Sequence, residues 1–343
     1  MTSLVMTLTE TLRYRGAIGQ WSWVLHRLTG LGVVLFLTLH VIDTSWAVFY
    51  PELYVEAILT YQSPLFTIGE FGLIFAVVYH ALNGLRIIIM DYNPRWWKYQ
   101  QLAANAVLIG TAVLLLPVFA LMFGHVLNHY SDPNVFILPL PEVLRAQLPF
   151  AIGIPVAAIV ALLLSGLYGL VAGNQAAPVT GKASGSRVER FWWSFMRISG
   201  LIILPLVFGH LAAMHILQGV FDLQVVHAVD NLRVVGTDAI NVTGTAVEFV
   251  QDRWNFLVGG VLVWRVYDFA LLTLVTVHGF NGLRYVFTDY VQNQTLKRAL
   301  IYLCVIGAVA LLVSGGGALL LGVDDTAVQK AAEALAHIEA THR

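Results

Sequence analysis

Apolar stretches long enough to cross a bilayer recur along almost the whole of this chain, and no other feature restricts its fold so severely. A hydrocarbon core of ~30 Å takes about 20 residues of helix. Inside lipid the backbone has to satisfy its own hydrogen bonds, so each such run reads as a helix. Seven spans can be drawn, at residues 21–49, 66–90, 102–127, 150–171, 191–219, 256–287 and 298–321. With 58% hydrophobic and only 11% charged residues, the chain has too little polar surface to fold in water. The fold class expected is therefore an all-α integral membrane protein with about seven transmembrane helices. A net charge of −1 gives no reason to expect nucleic acid.

Cys304 is the only cysteine, which excludes a disulfide framework, a cysteine-ligated iron–sulfur cluster and a c-type haem attachment on this chain. Any redox metal must be held by other side chains. Residues 1–19 carry Arg13 and Arg15 but no compact apolar core with a small-residue cleavage site, so the first span is expected to act as the insertion signal.

The chain repeats itself. Arg27-Leu28-Thr29-Gly30 followed by His40 recurs as Arg197-Ile198-Ser199-Gly200 followed by His210, at an offset of 170. His80-Ala81-Leu82-Asn83-Gly84-Leu85-Arg86 with Asp91-Tyr92 recurs as His278-Gly279-Phe280-Asn281-Gly282-Leu283-Arg284 with Asp289-Tyr290, at an offset of 198. The change of offset places an insertion in the second half, within the polar stretch 221–253. This is an internal duplication of a three-helix unit. The expected organisation is a first repeat over 1–130, an extra helix and a Gly/Ala/Ser/Pro-rich linker over 131–190, a second repeat over 191–323 and a tail over 324–343. Most lysines and arginines fall on one side if the N-terminus is cytoplasmic, which sets that orientation, puts the C-terminus outside and makes the repeats parallel. The membrane expected is the plasma membrane.

A histidine in the middle of a lipid-embedded helix is costly and normally has a partner in the bundle. One alone would read as a polar residue bonded to a neighbouring helix. Four in a duplicated pattern, His40 with His210 and His80 with His278, read as axial ligands of two b-type haems, which need no cysteine. Gly30, Gly84, Gly200 and Gly282 would let a flat macrocycle or another helix approach, or simply pack helices. Arg27, Arg86, Arg197 and Arg284 at membrane ends are candidates for haem propionates, against a plain topogenic reading. His26 is a candidate contact for a propionate or a quinone, although its counterpart in the second half is Met196. His215 competes with His210 as a ligand but has no first-half counterpart, and His125, His129, His227, His337 and His342 read as solvated.

Depth decides which histidines share a haem. His40 lies 17–19 residues beyond Trp21 and Trp23, roughly 26–28 Å along a helix, whereas His80 is only roughly 16 Å from Asp91. Trp192 and Trp193 place His210 at a depth like that of His40, and Asp289 places His278 like His80. Equal-depth partners therefore come from opposite halves.

These residues resemble the membrane anchors of succinate dehydrogenase, complex II. The first half, with Trp23-Val24-Leu25-His26-Arg27-Leu28-Thr29-Gly30, His40 and the stretch from His80 to Asp91, is similar to the larger anchor subunit. The second, with Arg197 to Gly200, Gly209-His210-Leu211 and His278 to Tyr290, is similar to the smaller one. The resemblance implies two anchors fused in one chain, partnered by a flavoprotein that interconverts succinate and fumarate and by an iron–sulfur subunit that delivers electrons to membrane quinone. It also implies a quinone site at Arg27, Asp289 and Tyr290. Some members carry a quinone-contacting serine where this chain has Trp23, with Ser22 one residue away. Two haems with two anchors resemble the menaquinone-linked branch, and a trimer of the complex is the higher assembly that the resemblance allows. A bc-type cytochrome b would need histidines about 14 apart on each of two helices, a spacing that His26 and His40 have and that His80 and His278 lack. A secondary transporter would need broken helices at corresponding midplane positions.

Overall fold

The computed structural model describes residues 17–133, 135–172, 186–213 and 243–342. The N-terminal segment with Arg13 and Arg15, the linker with Lys182, the last residues of the expected fifth span with His215, and most of the second-half insertion, including His227 and Arg233, lie outside the described residues. Among the described residues six helices are long and apolar enough to cross a membrane. In chain order they are α1 (Ile18–Phe49), α3 (Pro64–Tyr92), α4 (Gln100–Ser131), α6 (Leu148–Ala172), α7 (Arg187–Ala212) and α10 (Gln294–Leu321), α4 being preceded by a helical turn at Pro94–Tyr99 and α6 by the short α5 (Leu140–Arg145). The expected sixth span coincides with a helix, α9 (Val263–Tyr290), which has the length of a span but is not among those six, carrying Arg265, Asp268, Arg284 and Asp289 near its ends. It starts later than the 256 read from the sequence. Gly259 and Gly260, at φ 57° and 82°, turn residues 257–262 into a two-stranded hairpin first.

Four helices close a ring in which α1 packs on α3, α3 on α7, α7 on α9 and α9 on α1. Two come from each half of the sequence. The third helix of each half lies outside this ring, α4 against α3 and α10 against α9 and α1, and α6 packs on the far side of α10. Apolar side chains such as Ile109, Leu116, Leu163 and Leu170 coat the outward faces of α4 and α6, as a surface wetted by lipid tails requires.

The two ends of the bundle differ. One, here the basic end, carries Trp23, Arg27, Asp91, Arg197 and Asp289. The other is capped by three short helices that sequence reading missed: α2 (Pro51–Tyr61), α8 (Val247–Asn255) and α11 (Asp325–His342). Their apolar faces meet over the ends of α1 and α10, burying Tyr54, Val55, Ile58, Phe249, Val250, Trp254, Ala327 and Ala331 with Ala47 and Leu319 in one cluster. The tail is thus a packed helix. Arg265, at the start of α9, donates to the Leu319 and Leu320 carbonyls at 3.1 Å, satisfying the otherwise open last turn of α10. Gly322 ends that helix at φ 75°, and a Cβ there would strike the Arg265 guanidinium, so both backbone and space demand glycine.

Candidate functional site

At the basic end two ion pairs cross between the halves. Arg27 of α1 donates to Asp289 of α9, and Arg197 of α7 donates to Asp91 of α3. One helical turn before each arginine a tryptophan lies against its guanidinium, Trp23 at 4.0 Å and Trp193 at 3.7 Å. The tyrosine after each aspartate completes the set. Tyr290 is 5.6 Å from the Arg27 guanidinium, and the Tyr92 ring is 6.1 Å from that of Trp193.

The likeness ends at the arginines' other nitrogens. Arg197 also uses Nε on Asp91 at 2.9 Å and Nη1 on the Trp193 carbonyl at 2.9 Å, so each face of its guanidinium is engaged. Arg27 makes a single bond through Nη2, and its Nη1 is buried with no acceptor. A buried charged donor without an acceptor is costly unless a ligand supplies one. The Arg27 cluster can therefore take a carbonyl oxygen; the Arg197 cluster is already saturated.

Deeper in the ring lie the histidines. His80 projects from α3 onto α1, where its Nδ1–H donates to the His26 carbonyl at 3.0 Å and its ring stacks on His26 with centres 4.0 Å apart and planes within 8°. A carbonyl can only accept, so Nδ1 carries the proton and Nε2 keeps its lone pair. A Cβ on Gly30 would come within 2.9 Å of this ring. On the other half His278 projects from α9 onto Gly200 of α7, with Nδ1 2.9 Å from the Ser199 hydroxyl. That hydroxyl donates to the Phe195 carbonyl at 2.6 Å, so it accepts from His278, whose Nε2 is likewise left as a metal-binding nitrogen. Towards the capped end the rings of His40 and His210 approach edge-on, with centres 6.0 Å apart and planes at 74°. One metal at roughly 2 Å from a nitrogen of each ring fits that separation.

The second pair of repeat-related arginines also differs between the halves. Arg284 donates to Glu189 at 3.1 Å and to Asn281 at 2.9 Å. Arg86, its counterpart, is buried on α3 with Nε and Nη1 lacking acceptors, and Nδ1 of His26 is also buried without a partner. The open N–H groups of the buried Arg86 guanidinium suit an anionic group such as a haem propionate, and His26 Nδ1 can join them when it carries its proton. Among the described residues no group of three or more His, Cys, Asp or Glu gathers to cage a bare metal ion. Paired imidazoles are what an iron already held by four porphyrin nitrogens takes.

Residues 8–120 match the family model of the succinate dehydrogenase/fumarate reductase transmembrane subunit. The chain is also 38% identical over 119 residues to the succinate dehydrogenase 2 membrane subunit SdhC of Mycobacterium tuberculosis, an alignment covering 86% of that protein and 34% of this chain. This chain belongs to the succinate dehydrogenase membrane-anchor family. The hydrophobic membrane anchor subunit of Archaeoglobus fulgidus succinate dehydrogenase is similar too, at 33% identity over 98 residues, 80% of that protein and 29% of this chain. The corresponding anchor of Halobacterium salinarum is 31% identical over 74 residues, 57% of that protein and 21% of this chain. No solved structure matches significantly.

In this family member all four duplicated histidines lie on the four helices of the central ring, one on each. Arg27, Asp289, Tyr290 and Trp23 lie together at the basic end. Ser22, the nearest serine, points elsewhere: it is buried against α3, donating to Asn83 at 2.7 Å and bonded to Tyr79 at 3.0 Å. Arg197 and Arg284, candidates for propionates, are engaged by Asp91 and Glu189 respectively. Sequence reasoning passed over Ser199. Its signal was present, since the Arg-x-(Thr/Ser)-Gly motif carries a hydroxyl in both halves.

Proposed function

We propose that this anchor binds two b-type haems, each bridging the duplication, and carries electrons from the iron–sulfur subunit of complex II to membrane quinone. The observation that supports this most directly is the pairing of ring-lining histidines from opposite halves, with His40 and His210 side by side and with Nε2 of His80 and His278 freed by fixed Nδ1 partners. His80 and His278 would hold the haem nearer the basic end, His40 and His210 the one nearer the capped end, and Arg86 with His26 would receive propionates. Bound haem would supply one-electron transfer through the bundle. We assign the basic end to the cytoplasm and the chain to the plasma membrane, with the flavoprotein and iron–sulfur subunits docked below Arg27, two anchor subunits fused in one chain, and menaquinone as the acceptor.

The chain's own part in quinone reduction is positional. Quinone takes two electrons and two protons to become quinol. Arg27 Nη1 and the Tyr290 hydroxyl can donate to a quinone carbonyl, and electron density gained there strengthens both bonds. Trp23 under the guanidinium and Asp289 beside it hold Arg27 in place, and Asp289, half exposed, can pass protons from water.

A pyridine haemochrome assay on the purified chain is expected to give two protohaems per chain; clearly fewer in haem-replete cells contradicts the reading. Tyr290→Phe removes one donor and nothing else. In the assembled complex it is expected to keep both haems and succinate oxidation by an artificial acceptor while lowering quinone reduction roughly tenfold, the worth of one hydrogen bond of ~1.4 kcal/mol. Unchanged quinone turnover removes Tyr290 from the site.

A further inference from the structure

The two histidines placed nearest the basic end keep the same nitrogen free by different means, and the difference falls on one removable side chain. His80 leans on a backbone carbonyl, that of His26, at 3.0 Å. His278 leans on the hydroxyl of Ser199 at 2.9 Å. The rings also sit at different heights over their glycines. Over Gly30 the ring sits so close that a Cβ would be 2.9 Å away, low enough to reach the main chain; over Gly200 the same distance is 3.4 Å, and the ring meets the side chain of the preceding residue. Thr29, the counterpart of Ser199, takes no part in holding a histidine ring and donates to the Leu25 and His26 carbonyls at 2.7 and 3.1 Å. Ser199 has one proton, committed to the Phe195 carbonyl at 2.6 Å, so towards His278 it presents lone pairs only. Its burial at 2% exposure keeps water from replacing it.

We propose that Ser199 is the positioning residue that fixes the tautomer and donor strength of His278, and through it sets the reduction potential of the haem nearer the basic end. The inference rests on the functional reading above, in that it takes His278 to be a haem ligand. An acceptor on Nδ1–H pushes electron density towards Nε2 and favours the oxidised, more positively charged iron; its loss makes reduction easier. A purely structural serine, tying one helical turn of α7, would do none of this.

Ser199→Ala, in the whole complex, is expected to retain two haems with unchanged optical maxima while the midpoint potential of one haem moves upward. The other haem should stay where it is. Ser199→Thr, which restores a hydroxyl in the residue type already used at position 29, should return the potential to that of the parent, and Thr29→Ala should leave it there. A Ser199→Ala protein holding both haems at parental potentials overturns the proposal, as does an equal upward shift in Thr29→Ala. Loss of a haem in Ser199→Ala with no rescue by Ser199→Thr makes the serine structural and also overturns it. Absence of haem from the parent chain overturns instead the functional reading on which the proposal stands.

Discussion

Arg27→Ala is expected to lower succinate-driven quinone reduction by about one to two orders of magnitude while leaving succinate oxidation by an artificial acceptor and the haem content near parental. Hydrogen bonds to charged groups contribute ~1.5–3 kcal/mol, and Arg27 has a buried Nη1 with nothing else to bond. Arg197→Ala, its repeat-related counterpart, should behave in the opposite way. Three of that guanidinium's hydrogen bonds go to Asp91 and the Trp193 carbonyl, with both ion-pair side chains 18% exposed. Its removal leaves the Asp91 carboxylate uncompensated between α3 and α7, at a cost of ~2–4 kcal/mol in stability. Yield and thermal inactivation should suffer; quinone turnover per surviving complex should not. The contrast is informative because both arginines occupy the same motif. Equal losses of quinone turnover in the two variants would mean that the site is not confined to the Arg27 cluster.

Gly30→Ala carries the second large effect. The added methyl would lie 2.9 Å from Cε1 and 3.2 Å from Nδ1 of His80, a ring that is also stacked on His26 at 4.0 Å. To clear the methyl the imidazole has to shift, and the shift strains both that stack and its bond to the His26 carbonyl. Alanine favours a helix over glycine by about 1 kcal/mol, so the backbone of α1 should tolerate the change and the damage should fall on the histidine. Haem content should drop from two to one, with the low-spin signal of the basic-end centre lost. Gly200→Ala meets His278 only at 3.4 Å, an ordinary contact, and should keep both. Two haems of parental spectrum in Gly30→Ala would mean that His80 does not need the position it holds against α1.

What could be read from the chain beforehand follows from the cost of burying polar groups in lipid. A histidine mid-helix is too expensive to be incidental, so His40, His80, His210 and His278 stood out, and their shared offsets tied them into two sets. The all-helical membrane class and six apolar helices were legible for the same reason. The difference between Arg27 and Arg197 was not, because the surrounding motifs match and what separates them is whether the guanidinium reaches a carbonyl one turn back. Ser199 was hidden by its type: a serine in a membrane helix usually bonds its own preceding turn, and this one does so while also facing His278. The cap escaped notice because α2, α8 and α11 are short, and each has an apolar face completed only by the others. Glu189 was not singled out, because its partner Arg284 lies 95 residues away and reaches it only when α9 packs on α7.

Each haem is expected to be shared between the two halves of the chain, and redox-resolved optical and EPR spectra of His40→Ala, His210→Ala and His80→Ala decide this. His40→Ala and His210→Ala should each delete the same centre, and His80→Ala the other one. Loss of one and the same centre from His40→Ala and His80→Ala would contradict it, since ligation would then lie within a half.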